Sequence, residues 1–249
     1  MDRSLKSGKM NDVNSLNLDR VVFIGRTFSE YVDMFDLDMQ KIKDLEILDC
    51  PAGSSSFVCE SFWEQGIKYV TGCDVMYYSR DLSNLEDIAS NDLKHMARIL
   101  SETSDYYKWE HYHNIYGLLK ARRLPLQKFL TDYQAGSIEK RYVYAKLPKL
   151  PFKDKTFDLV LSGNLLFYYH DVLDYEFHLQ SILEFIRVST KEVRIFPVVT
   201  PNGKLPVFFE KLMSDLKRLT STCLNYEIKD VKYHFRKGVN KMILLNGYN

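Results

Sequence analysis

The run Leu45-Glu46-Ile47-Leu48-Asp49-Cys50-Pro51-Ala52-Gly53-Ser54-Ser55-Ser56-Phe57 constrains the chain more than any other segment. An apolar strand ends in an acid, passes through a turn of small residues and leaves into a helix. Small residues let backbone amides approach a ligand closely, and the helix N-terminus faces it. A second apolar run, Tyr69-Val70-Thr71-Gly72-Cys73, is followed by Asp74. An acid at that place can accept both hydroxyls of a ribose.

The remaining elements follow from periodicity and punctuation. Residues 1–17 are polar and are expected to be mobile. A short element is expected over Asp19–Arg26. Thr27 with Glu30 three residues on forms a capping-box pattern, opening a helix over Phe28–Leu37 with Phe28, Tyr31, Val32 and Phe35 at helical spacing. Strands are expected at Glu46–Asp49, up to Asp74, at Tyr142–Tyr144, at Phe157–Ser162 and at Glu192–Val199. Helices are expected at Phe57–Gln65, Tyr175–Val188 and Pro206–Leu219. Between Ser83 and Ile138 the chain reads as mostly helical, with an unusually aromatic run from Asp105 to Tyr116. Tyr226–Phe235, the turn Arg236–Asn240 and Lys241–Leu245 read as a β-hairpin. Strands alternating with helices imply a parallel sheet, here with an antiparallel strand added at the end.

Bulk properties narrow the function classes. The 249 residues suffice for one large domain with a sizeable core. The 34 basic and 33 acidic side chains nearly cancel, so neither nucleic acid nor a membrane surface is expected as a partner. No apolar stretch is long enough to cross a bilayer, and the first residues lack the apolar core of a signal peptide. Cys50, Cys59, Cys73 and Cys223 form no CxxC pair and no zinc spacing. They read as buried free thiols in a reducing cytoplasm.

In this order the parts resemble a class I (Rossmann-like) S-adenosylmethionine-dependent methyltransferase. The strand-turn Leu48–Ser55 is similar to that family's acid-x-Gly-x-Gly-x-Gly, and Asp74 matches its acid after the second strand. Leu150-Pro151-Phe152 followed by Phe157-Asp158-Leu159-Val160, then Glu184–Val188, match the segment around its fourth strand and the next helix. The terminal hairpin matches its antiparallel strand. Pro51 and Ser55 stand where two of the glycines would be, and no acid follows the third strand, where Tyr144, Ala145 and Lys146 stand instead.

The resemblance implies a single doubly wound α/β domain with a seven-stranded, mostly parallel sheet and the C-terminal antiparallel hairpin; residues 83–138, longer than that family's usual connection, are expected to form a helical cap insertion. It implies S-adenosylmethionine as cofactor and methyl transfer to a small-molecule acceptor. Its cofactor site would include Arg26, Tyr31, Asp49, Pro51, Ala52, Gly53, Ser54, Asp74, Val75 and Asn164. Arg26 would pair with the cofactor's carboxylate. No residue stands out as a catalytic base.

His170 with Asp171, or His111, His113 and Trp109, can be placed near an acceptor. A helix start and a packing surface are the more ordinary readings of the same residues. His-x-His on a helix points the rings to different faces, so no metal site is expected. Lys120, Arg122 and Arg123 read as a solvated helix end. Two other classes fit the motifs: a non-catalytic sensor or partner-binding module for S-adenosylmethionine or S-adenosylhomocysteine, and a nicotinamide-dependent oxidoreductase. The hairpin speaks against the latter.

Overall fold

The computed structural model describes residues 20–220 and 223–248; the segment 1–17, expected to be mobile, lies outside them. The strands are β1 (Ile47–Asp49), β2 (Val70–Asp74), β3 (Tyr142–Tyr144), β4 (Phe157–Gly163), β5 (Ser189–Phe196), β6 (Asn225–Asp230) and β7 (Lys241–Asn246). They form one seven-stranded sheet in the order β3-β2-β1-β4-β5-β7-β6. Pairing is parallel from β3 through β5, and β7 runs antiparallel to both β5 and β6.

Alternation of side chains along the strands divides the core into two faces. Leu48 and Val160 enter one cluster with Ile182 and Phe185 of α6 (Tyr175–Val188) and Leu212 of α7 (Phe209–Leu219). Ile47, Leu159 and Leu161 enter the other, with Phe28 and Met34 of α1 (Phe28–Phe35) and Phe57 of α3 (Phe57–Trp63). Burial on both faces explains why β1 and β4 read as continuous apolar runs. The expected capping box is present: Thr27 N–H donates to Glu30 Oε2 at 2.9 Å, and Glu30 N–H to Thr27 Oγ1 at 3.3 Å. A short α2 (Met39–Ile42) follows α1.

Three sequence expectations need correction. Residues 20–26 form no strand or helix. Their amides go to side chains instead: Val22 N–H to the Tyr169 hydroxyl and Phe23 N–H to Asp92 Oδ2. The stretch 83–138 is not wholly a cap. It holds α4 (Leu82–Glu102) and α5 (Ile115–Ile138), and α5 changes partners at the internal Pro125. Before Pro125, Leu118 joins a small cluster with Leu100, Tyr107 and Tyr112; after it, Leu126, Phe129 and Tyr133 enter the main core. Proline removes one ladder hydrogen bond and so suits such a change. Finally, the hairpin's first strand ends at Asp230 rather than Phe235. Residues 231–240 leave the sheet, where Tyr233 N–H bonds Asp33 O at 3.2 Å and Lys108 N–H bonds Phe235 O at 2.7 Å.

Candidate functional site

Reversal of strand order between β1 and β4 opens a crevice at the carboxyl ends of the strands, where ligands bind in open α/β sheets. A cavity of about 410 Å³ lies there. Arg26, Tyr31, Pro51, Ala52, Gly53, Asp74, Val75 and Asn164 all line it. Two further candidates do not. Asp49 lies behind Tyr31, whose hydroxyl donates to it at 2.9 Å. Ser54 is buried, with its hydroxyl 3.5 Å from Phe23 O.

The loop after β1 is held by its neighbours. Ala52 N–H bonds Cys73 O at 2.9 Å, Gly53 N–H bonds Asp74 Oδ2 at 3.0 Å, and the Tyr77 hydroxyl donates to Gly53 O at 2.7 Å. Gly53 has φ +56°, a conformation that side chains rarely adopt, and an added Cβ would lie 3.3 Å from Ile24 O. Gly25 presses on the same loop from outside: a Cβ there would come within 2.0 Å of Ser54 O. Residues 20–26 therefore lie directly over the turn. Neither Gly25 nor Tyr77 was legible as part of the site, because each acts through a fold-level approach of distant segments.

Asp74 accepts two backbone amides, from Gly53 and from Met76 at 2.8 Å. Burial outweighs these bonds and pushes its carboxyl up to about 6. Burial also raises Asp49 well above the usual carboxylate range; the Tyr31 hydrogen bond works against this, and the nearby Asp74 adds to it. Arg26 brings the opposite charge. Its Nε is buried without a hydrogen-bond partner at the cavity wall. Asn164, at φ +53° just past β4, anchors its N–H on Phe196 O at 2.6 Å.

Past these groups the wall is apolar. It is made by Ile88, Met96, Ile99 and Leu100 of α4, by Tyr107 and Tyr168, and by Phe235 from the 231–240 loop. The polar candidates named for this end lie elsewhere. His170 pairs with Asp171 at 3.1 Å outside the cavity lining. Trp109 packs edge-on against Phe235 at 5.4 Å with its Nε1 donating to Ser104 O, and neither it nor His111 nor His113 lines the cavity. Among the described residues no cluster of three or more His, Cys, Asp or Glu suits a metal ion.

Arg122 is not a solvated helix end. It is buried, donating to Glu30 at 2.7 and 2.6 Å and to the Tyr112 hydroxyl at 2.7 Å. Burial alone would raise the Glu30 carboxyl, but the Arg122 charge and hydrogen bonds bring it down to about 2. This ion pair ties α1, which carries Tyr31, to α5.

No family model matches the chain. The uncharacterized protein MJ0045 of Methanocaldococcus jannaschii is 32% identical over 231 residues, covering 92% of this chain and 98% of that protein. The chain belongs to the MJ0045 family. Among solved structures, a SAM-dependent methyltransferase from Aquifex aeolicus is 14% identical, covers 88% of this chain and 92% of its own, and superposes with a TM-score of 0.40. A TehB-like SAM-dependent methyltransferase from Corynebacterium glutamicum is 15% identical over 83% of this chain and 82% of its own, with a TM-score of 0.41. These superpositions are loose, and the fold of this MJ0045-family member rests on its own strand order. A doubly wound parallel sheet with an antiparallel β7 between β5 and β6 is the Rossmann-like class I methyltransferase fold. No helix among the described residues is long and apolar enough to cross a membrane.

Proposed function

We propose that this protein transfers the methyl group of S-adenosylmethionine to a small-molecule acceptor. The observation that carries the reading is Asp74, a buried acid at the end of β2 whose nearest partners are two amides and whose carboxylate borders the cavity. Carboxylate oxygens accept more than one bond each, so capacity remains for the two ribose hydroxyls.

The other cavity residues fit the same cofactor. The orphaned Arg26 Nε matches a carboxylate, which an arginine binds with charge-assisted hydrogen bonds. Gly53 lines the cavity at a positive φ that lets the turn run close under Ile24. The Tyr31 hydroxyl is spent on Asp49, so its ring serves as wall, stacked on Phe57 at 4.4 Å.

When bound, the sulfonium supplies an electrophilic methyl. The chain's own task is then to hold the two reactants in line and to exclude water. Residues 20–26 and α4 cover the cavity, and the tyrosines at its far end stay protonated: burial holds Tyr168 well above the usual phenol range. A base is needed only for an acceptor that must lose its proton early. Cys50, Cys59 and Cys73 are free and buried, which suits a reducing cytoplasm, whereas Cys223, expected to be buried, is exposed.

Calorimetry with S-adenosylmethionine, S-adenosylhomocysteine and NAD tests the cofactor class. Binding of the first two and not of NAD is the expected result; NAD binding in their place sinks the proposal. Release of S-adenosylhomocysteine on addition of a metabolite extract then separates turnover from binding alone.

A further inference from the structure

The cavity does not end at the cofactor residues. Beyond Arg26 and Asp74 it runs under α4, where Met96, Ile99, Leu100, Tyr107, Tyr168 and Phe235 form its wall. Leu100 and Tyr107 belong to a cluster separate from the two faces of the sheet, and the other four pack against it. An apolar chamber on the reactive side of a cleft selects by desolvation. A charged ligand entering it loses its hydration and must find a partner there.

The charged groups around this chamber are held within the fold, Asp92 in an ion pair and Arg236 by neutral oxygens. Asp92, on α4, accepts Phe23 N–H at 2.6 Å and meets Arg20 at 2.5 Å. Arg236 lies behind Tyr107, donating Nε to Pro201 O at 2.6 Å and Nη1 to the Tyr107 hydroxyl at 2.7 Å. Arg26 and the exposed Lys146 stand at the cofactor end. Half-buried Tyr168 lines the chamber with its hydroxyl hydrogen-bonded to Tyr107, and that oxygen keeps capacity for a further bond. Tyr107 is fixed by Arg236, so the neighbouring phenol is presented from a rigid backing.

We propose that this chamber takes an uncharged, largely apolar acceptor, and that the Tyr168 hydroxyl orients it by hydrogen-bonding a hydroxyl or carbonyl of the ligand. The proposal rests on the methyltransferase reading for the word acceptor; the chamber's selectivity stands on its apolar lining.

The probes are 1-naphthol, its charged counterpart 1-naphthoate, and naphthalene, which has no polar group. Each is titrated by fluorescence into the full chain saturated with S-adenosylhomocysteine. Naphthol is expected to bind at least about tenfold tighter than naphthoate, because the apolar wall does not replace the hydration that a carboxylate loses on entry. Met96→Trp, which fills the chamber without burying a charge, should weaken naphthol about tenfold while leaving S-adenosylhomocysteine binding unchanged. If that variant does not fold, Ile99→Phe occupies the same space. Tyr168→Phe should weaken naphthol roughly threefold to tenfold and leave naphthalene alone, a split that a purely structural tyrosine would not produce.

Naphthoate binding as tightly as naphthol overturns the charge selectivity. Naphthol binding that ignores both filling variants overturns the location, and equal losses for naphthol and naphthalene in Tyr168→Phe overturn the role of the hydroxyl. Absence of S-adenosylhomocysteine binding to the wild-type chain would instead remove the methyltransferase reading. The ratio of naphthol to naphthoate, measured without it in Arg26→Met so that no unpartnered guanidinium is left at the cofactor end, still decides the chamber.

Discussion

Glu30 and Asp74 are both buried carboxylates, Asp74 lining the crevice and Glu30 outside its lining, and burial presses both toward the neutral form. They end on opposite sides of the ordinary range. Glu30 meets the Arg122 guanidinium through two oxygens and falls to about 2. Asp74 meets only amides and is pushed up to about 6. The first acid is satisfied by the fold and ties α1 to α5. The second is left under-compensated at a cavity wall, the condition expected of a group that completes its bonding with a ligand.

The largest effect that can break this contrast is on stability. Arg122→Ala strands the Glu30 charge in the interior and should cost roughly 3–5 kcal/mol in urea denaturation. Glu30→Gln combined with Arg122→Met should recover most of that loss, since the penalty comes from an unpaired charge rather than a missing contact. A single-variant cost under about 1 kcal/mol, the level of an exposed pair, would mean that the pair is not structural.

Asp74→Ala should do the reverse. Affinity for S-adenosylhomocysteine should fall at least about tenfold through the loss of charge-assisted bonds, with the fold retained. Wild-type affinity in this variant, read by calorimetry, removes Asp74 from the site.

Acidity sharpens the same comparison. Binding that needs the Asp74 carboxylate should weaken as pH falls below about 6, by about tenfold per unit, and this dependence should vanish in Asp74→Asn. Stability moves with the opposite sign at this residue. Its folded value of about 6 exceeds the ordinary 3.8, so the folded state holds the proton more tightly. The wild type should lose stability relative to Asp74→Asn as pH rises from about 4 to about 6 and no further. Glu30, lowered from 4.5 to about 2, contributes stability above its ordinary value and loses it as pH falls toward 2.

The smallest effect concerns the cap. Trp109 contacts Phe235 but does not line the cavity, so Trp109→Ala should leave S-adenosylhomocysteine affinity unchanged while loosening the 103–114 segment. Hydrogen exchange should show faster opening there than in β4, and slowing when S-adenosylhomocysteine binds. Equal protection of both segments in either state would make the aromatic run fixed packing.

Short-range patterns carried much of this protein. The capping box at Thr27 and Glu30, the small-residue turn after Asp49, the two-sided apolar runs of β1 and β4 and the exact span of α6 were legible because each is decided by neighbours in the chain. So was the strand-end position of Asp74, an acid that closes the apolar run of β2. Tertiary structure decided the rest. Arg122 looks like a surface cation beside Lys120 and Arg123 until α1 brings Glu30 against it from 92 positions away. Gly25 counts as part of the site because residues 20–26 lie on the Ser54 backbone. The 231–240 loop reads as the end of a hairpin until its backbone bonds to Asp33 and Lys108 carry Phe235 to the cavity. Local sequence sets the periodicity and the turn chemistry of each element. Which buried charges find partners, and which residues enclose a ligand, depends on contacts between elements far apart in the chain, and those exist only once the sheet has assembled.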